Sequence, residues 1–182
     1  MAELLRARGA AIIDADKIAR DLLKPGTESF QETVALFGPT IVTPQGDIDR
    51  GAVARQIFTN PPLKRKLEAI LHPRVNAAFL AAVAALRAAG EARVIVYVVP
   101  LLFEAGKDRS LFDEIIVVAT DSERAIDRAA HRDGATREDI ERRYRSQIPI
   151  EEKVARATLV IDNNGSLEEL AAKVDELWGR LL

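Results

Sequence analysis

Ile12-Ile13-Asp14-Ala15-Asp16-Lys17-Ile18-Ala19-Arg20 decides the fold. A short apolar run ends in two carboxylates one residue apart, and an amphipathic helix follows without a loop. A strand passing straight into a helix is the repeating unit of parallel α/β architecture, whose ligands bind at the carboxyl ends of the strands. In extended backbone, alternation would set Asp14 and Asp16 on one side, about 7 Å apart. One acid could then orient or deprotonate a hydroxyl while the other positions Mg²⁺ or its waters. The competing reading is local: Asp14 caps the helix and Asp16 sits in its first turn, complementing the helix dipole.

Working outward, Ala2 to Arg8 has helical composition and stops at Gly9, and Ala10 to Ile13 is a short strand. The helix after the acids should end at Leu23, ahead of Lys24-Pro25-Gly26. Further helices are expected over Glu28 to Phe37, Arg50 to Phe58 and Leu63 to Leu71, the last capped by Asn60 with proline in its first turn. Leu71-His72-Pro73 reads as a junction, followed by an alanine-rich helix from Pro73 to Ala89 that ends at Gly90. Arg93 to Val99, Glu114 to Ala119 and Thr158 to Ile161 have the β-branched composition of parallel strands buried on both faces. Helices near Glu123 to Arg132, Thr136 to Ser146 and Leu167 to Leu181 complete the pattern. Thr136 with Asp139, and Ser166 with Glu169, look like capping boxes.

Strands alternating with helices imply a parallel α/β sheet with right-handed crossovers, and the helices from Thr27 to Ala89 imply a helical insertion. The 182 residues are 48% hydrophobic, enough for one core with a lobe. Charged residues nearly cancel, at a net charge of -2, which argues against a nucleic-acid binder. The lack of cysteine excludes disulfides and thiolate chemistry, and two histidines make a His-rich metal site improbable. No run is apolar enough to span a membrane, the best candidate, Val94 to Leu102, being far too short, and the N-terminus lacks a signal-peptide core. The chain reads as cytoplasmic.

Arg124, Arg128 and Arg132 recur every four residues, with Arg137, Arg142, Arg143 and Arg145 close behind. Such a row can clamp polyphosphate oxygens, or it can be a solvated face paired with Glu123, Asp127, Asp133, Glu138, Asp139 and Glu141. Val99-Pro100-Leu101-Leu102-Phe103-Glu104 is a strand running into an apolar shelf that ends in an acid. It would either wall a substrate pocket or pack as core. His72 could donate to a substrate or satisfy backbone carbonyls at its junction. Asp162-Asn163-Asn164-Gly165-Ser166 is turn chemistry at a strand end, where backbone groups could meet a nucleotide base.

In this order the segments resemble the dephospho-CoA kinase family. Matching are Ile12-Ile13-Asp14-Ala15-Asp16 with Ala19-Arg20, Pro25-Gly26, Phe37-Gly38, Gly46 with Asp49-Arg50, Ile57-Phe58 with Asn60-Pro61, Leu71-His72-Pro73, Pro100-Leu101-Leu102-Phe103-Glu104, Arg128 with Arg132-Asp133, and Ile161-Asp162-Asn163-Asn164-Gly165. The resemblance implies a P-loop kinase-like parallel sheet flanked by helices. The expected core is 1-24 and 90-182, with a helical substrate lobe about 25-89 and a lid about 123-147. It also implies transfer of the ATP γ-phosphoryl to the ribose 3′-hydroxyl of dephospho-CoA, the last step of coenzyme A synthesis, with Mg²⁺ accompanying ATP. Asp16 matches the carboxylate facing the accepting hydroxyl, and Arg128, with Arg132, the lid arginines over the phosphates. Asp14, His72, Pro100, Leu101 and Glu104 fall where the family holds dephospho-CoA, and Asn163, Asn164 and Gly165 fall near the adenine of ATP. The Mg²⁺ ligands stay open, with Asp14 or Asp16 as candidates. The expected state is a monomer or weak homo-oligomer without nucleic-acid or membrane partners.

Two departures qualify the match. The family's opening strand and G-x-x-x-x-G-K-[ST] loop are absent: only Gly46 and Gly51 have the spacing, and Ala52-Val53 follows them. Met1 to Gly9 instead resembles the helix after that loop, as if Met1 stood at a GTG valine codon and translation began about 15 residues earlier, the length of a strand plus loop. In-frame upstream codons would decide this. Secondly, Val98 stands where many members carry an acid. The polypeptide as it stands is therefore expected to have little or no kinase activity. The alternatives are a non-catalytic remnant that binds a CoA-like ligand, or a kinase for another nucleoside or nucleotide.

Overall fold

The computed structural model describes residues 1–90, 92–104 and 109–182. It divides into two compact units, Ala10–Val99 and Met1–Gly9 with Pro100–Leu182.

In the first unit, β1 (Ala11–Asp14) runs into α2 (Ala15–Leu22), so the chain's opening helix, α1 (Ala2–Arg6), precedes it in sequence but belongs to the other unit. β1 pairs in parallel with β2 (Ile95–Val98), Ala11 opposite Ile95 and Asp14 opposite Val98. Between them come α3 (Glu28–Phe37), α4 (Arg50–Thr59) and α5 (Pro61–Ala89). Phe37, Ile41, Val53 and Leu67 are the buried centre of this helical part. Each helix start is set locally. Thr27, Asp49 and Asn60 accept hydrogen bonds from the amides of Phe30, Ala52 and Leu63, satisfying otherwise orphaned donors.

The expected junction at His72-Pro73 is not there. α5 is one 29-residue helix with Pro73 inside it. A proline forfeits one backbone bond and crowds the preceding turn. Here packing outweighs that: Leu67, Leu71, Val75 and Phe79, four residues apart, form one ridge on both sides of Pro73, and three of them are buried. Arg74, next to the proline, bridges to Glu28 and Glu32 of α3. The helix closes at Gly90, whose left-handed φ of 66° suits a residue without Cβ. The chain also proves to hold a segment long and apolar enough to cross a membrane by length and composition, since α5 contains an 18-residue window of mean hydropathy 1.5. The packing of α5 against α2, α3 and α4 is that of a helix within a folded domain.

In the second unit, β3 (Ile116–Ala119) and β4 (Leu159–Asp162) pair in parallel. Thr158 fixes the start of the ladder: its hydroxyl accepts from the Ile115 amide and donates to the Ile115 carbonyl. α6 (Ser122–Asp133), α7 (Arg137–Arg145) and α8 (Ile150–Arg156) connect the strands, and α9 (Leu167–Leu181) follows β4. α8 was not expected from the sequence. α9 packs against α1, where Leu5, Val174 and Leu177 are almost fully buried. Arg8 joins the two by a 2.6 Å bond to Asp175 and a bond to the Ala171 carbonyl.

The α/β class and parallel pairing are as expected, but the single doubly buried sheet is not. Among the described residues there are two sheets of two strands each. A strand with one neighbour keeps an open edge, and Val118 and Val160 are 37% and 45% exposed.

Candidate active site

At the β1–α2 corner the helical reading of the acids prevails over the extended one. Asp14 closes the strand and its Oδ1 accepts from the Lys17 amide at 3.0 Å, making it the N-cap. Asp16 lies in the first turn, so strand alternation does not align the two carboxylates. Asp16 is exposed, and no hydrogen bond or ion pair to it is found among the described residues. Placed at the helix N-terminus, its carboxylate remains available to a ligand. His72 is exposed in the middle of α5 and does not serve backbone carbonyls at a junction.

In the other unit the arginine row divides in two. Arg137 pairs with Glu123, Asp127 and Glu141; Arg142 with Glu138 and Asp139; Arg143 with Asp133; and Arg145 with Glu141. Arg132 pairs with its neighbour Asp133 at 2.7 Å, which raises the guanidinium pKa and holds the carboxyl below its usual range. These are mostly the solvated pairs of the local reading. Arg124 and Arg128 differ, because they reach neutral backbone oxygens: Arg124 the carbonyl of Asn164, and Arg128 that of Asn163 at 2.9 Å. A carbonyl dipole does not neutralise a guanidinium, so both keep a full charge for an anion.

The loop they touch is built by its side chains. The Asn164 Oδ1 accepts from the Thr120 hydroxyl (2.9 Å) and the Asp121 amide (2.8 Å), and its Nδ2 donates to Asp162 (2.6 Å). Lys173 grips the carbonyl and carboxylate of Asp162, and this contact holds the Asp162 carboxyl below its usual range. Ser166 and Glu169 form the expected capping box. Gly165 leaves room for the box: a Cβ there would lie 1.5 Å from the Glu169 carboxylate, which would have to swing aside. The Thr136 hydroxyl caps α7 and donates to Asp139. Asn163, Asn164 and Gly165 thus offer backbone, with the Asn164 amide already engaged. A cleft of about 480 Å³ opens beside this loop, lined by Thr120, Asp121, Ser122, Tyr144, Ile150 and Asn164.

Pro100 to Glu104 is a turn in which Pro100 and Leu101 are exposed. Glu104 is not a free pocket acid. Its Oε1 accepts from Lys153 Nζ at 2.7 Å and from the Ile148 amide at 3.2 Å. Burial pushes its carboxyl pKa up, but Lys153 and the backbone donors outweigh this and hold it below the usual glutamate range. The sequence reading missed Lys153 altogether. No cluster of three or more acidic or histidine side chains that could hold a metal is found among the described residues.

The chain is similar to known proteins. The family model CoaE, described as dephospho-CoA kinase, matches residues 1–169. The dephospho-CoA kinase of Geobacter sulfurreducens is 41% identical over 180 residues, 99% of this chain and 90% of the relative. That of Symbiobacterium thermophilum is 43% identical over 96% of this chain and 72% of the relative. Among solved structures, TT1252 from Thermus thermophilus superposes with a TM-score of 0.83 at 34% identity, covering all of this chain and 90% of the other. Dephospho-CoA kinase from Campylobacter jejuni gives 0.71 at 28% identity, covering 99% and 89%. The fold is thus that of a P-loop-type α/β kinase, a phosphotransferase. Within that class, the chain belongs to the dephospho-CoA kinase family of coenzyme A biosynthesis.

Proposed function

We propose that the reaction served by these residues is transfer of the ATP γ-phosphoryl to the ribose 3′-hydroxyl of dephospho-CoA. Asp16 receives or orients the hydroxyl proton, and Arg128, with Arg132 as a second member, stabilises charge on the transferring phosphoryl. Pro100 and Leu101 are the apolar shelf for dephospho-CoA, with Glu104 at its end and Asp14 and His72 as further contacts. The backbone of Asn163, Asn164 and Gly165 meets adenine. The observation that carries this reading is that Arg128 rests on a carbonyl oxygen and not on a carboxylate, whereas Arg132 must release Asp133 to join it. The reading retains the division into core, helical lobe and lid, a cytoplasmic location, a monomer or weak homo-oligomer, and no nucleic-acid or membrane partner.

Mg²⁺ commonly binds through one or two carboxylates, waters and substrate phosphates, so the lack of a three-acid cluster is compatible with it. Asp16, or the Asp14 oxygen not used by Lys17, would hold it or its waters. When bound, it supplies positive charge to the phosphates.

The 182 residues contain no G-x-x-x-x-G-K-[ST] loop. Phosphoryl transfer is mainly positioning and electrostatic stabilisation, so this polypeptide is expected to show negligible turnover. Incubation with ATP, Mg²⁺ and dephospho-CoA should yield no CoA above background, and detectable CoA would overturn that expectation. The same observation favours a second reading, a non-catalytic chain that binds a CoA-like ligand. Titration should then give weak binding of dephospho-CoA and almost none of ATP.

A further inference from the structure

Lys153 joins two segments that are distant in sequence, the shelf and the stretch from Gln147 into α8. Its side chain is only 12% exposed, and its partner Glu104 is 20% exposed. Lys153 Nζ donates to Glu104 Oε1 at 2.7 Å and to Gln147 Oε1 at 3.3 Å. The same Glu104 oxygen accepts the Ile148 amide. Three residues along the same face of α8, the Arg156 guanidinium lies 6.0 Å from the centre of the Phe103 ring. Gln147 and Ile148 belong to the link between α7 and α8, and Phe103 and Glu104 close the shelf. One half-buried ammonium therefore ties the shelf to the segment by which the arginine-bearing helices rejoin the fold.

The carboxylate cannot do this alone. Glu104 Oε2 is buried and has no hydrogen-bond partner among the described residues. Without Lys153, a largely buried anion would keep only backbone amide donors and no opposite charge, and the turn would rearrange to hydrate it. Pro149, the N-cap of α8, has no amide hydrogen, so the Ile148 amide is the last backbone donor before the helix.

We propose that Lys153 is a positioning residue for the substrate shelf, holding Glu104 so that Phe103–Glu104 and Gln147–Ile148 form one clasp. Glu104 then acts from behind the shelf and does not touch the ligand. The proposal rests on the reading of Pro100–Glu104 as the dephospho-CoA shelf.

Amide exchange at Ile148 and calorimetric titration with dephospho-CoA test it on the whole chain. Lys153→Met should speed Ile148 exchange about tenfold and weaken dephospho-CoA binding by a similar factor, the scale of coupling between contacting residues. Lys153→Arg, which keeps the ion pair, should preserve both. Glu104→Gln in the Lys153→Met background should weaken binding no further, and should restore part of it because no lone buried charge remains. Should Lys153→Met fail to fold, Glu104→Gln alone must speed Ile148 exchange. Unchanged Ile148 exchange in either single variant overturns the clasp. Equal loss of affinity on Glu104→Gln with and without Lys153 overturns it too, since Glu104 would then contact the ligand. No dephospho-CoA binding by the unmodified chain removes the substrate reading and the shelf role with it, while exchange still reports whether the clasp exists.

Discussion

Two strand-to-helix corners of this chain begin alike and end differently. β1 closes on Asp14 and β4 on Asp162, both at the carboxyl end of a parallel strand that a helix follows. At the first corner one hydrogen bond from the Lys17 amide does the capping, and Asp16 is left exposed without a partner among the described residues. At the second, Asp162 meets Lys173 and Asn164, Asn164 meets Thr120 and Asp121, and Glu169 closes over Gly165. An acid whose charge is already matched contributes to rigidity. One that is unmatched at a helix N-terminus stays available for chemistry. The contrast supports the proposal of acid chemistry at the first corner, while at the second the side chains are committed to scaffolding and only backbone is offered to a ligand.

The largest expected effect tests that assignment at Asp16. In a form of the protein supplied with a phosphate-binding loop, Asp16→Asn should lower turnover by about 10²–10⁴-fold, the range for loss of a general base. The midpoint of unfolding should barely move, because the side chain touches nothing that folding needs. Near-normal turnover would remove Asp16 from the acceptor role and erase the contrast.

The next effect belongs to the second corner. Asn164→Ala removes the acceptor for the Thr120 hydroxyl and the Asp121 amide, and should cost about 2 kcal/mol in denaturant titration, as expected when paired donors lose their partner. It should also free the loop whose carbonyls hold Arg124 and Arg128. A loss below about 0.5 kcal/mol, the level of an ordinary surface substitution, would mean that the loop is not the scaffold described.

The two corners were not equally legible in the sequence. Caps are local, so Asp14, Asn60 and Ser166 could be read from spacing alone, and the observed bonds are the ones such spacing allows. Asp16 was readable as a candidate, but its surroundings were not, because extended and helical geometries place it differently. The pairing of Glu104 with Lys153 spans 49 positions and leaves no periodic trace. The helix through Pro73 was misread for the opposite reason: a strong local signal was overridden by a ridge of four apolar residues packing across it. α8 is seven residues long and starts after Ile148-Pro149, too short for periodicity to announce it.

Smaller effects sharpen the comparison by separating capping from space. Asp14→Ala removes a single cap bond and should cost about 1 kcal/mol. Gly165→Ala should cost a similar amount, about 1 kcal/mol, by displacing the Glu169 carboxylate from the Ser166 amide. Replacing Glu169 by alanine in the same chain should then make the Gly165 substitution nearly free. If Gly165→Ala stays costly without Glu169, the loop needs glycine for some reason other than the space this carboxylate occupies.

The smallest effect is on pH. Lys173 holds the Asp162 carboxyl below its usual range, so around the ordinary aspartate value of about 3.9 the folded corner binds a proton less readily than the unfolded chain. The contact therefore stabilises fully above that value and is lost as pH falls through the lowered one. Both side chains are substantially exposed, so solvent screening keeps the effect small. Amide exchange at Asn164, whose backbone N–H points at Asp162, is a more sensitive measure than global unfolding. That exchange should quicken on acidification below about pH 3.9, with the onset moved upward in Lys173→Met, where the main cause of the lowered pKa is gone. An onset unchanged by Lys173→Met would place the control of this corner in Asn164 and leave the lysine as a surface charge.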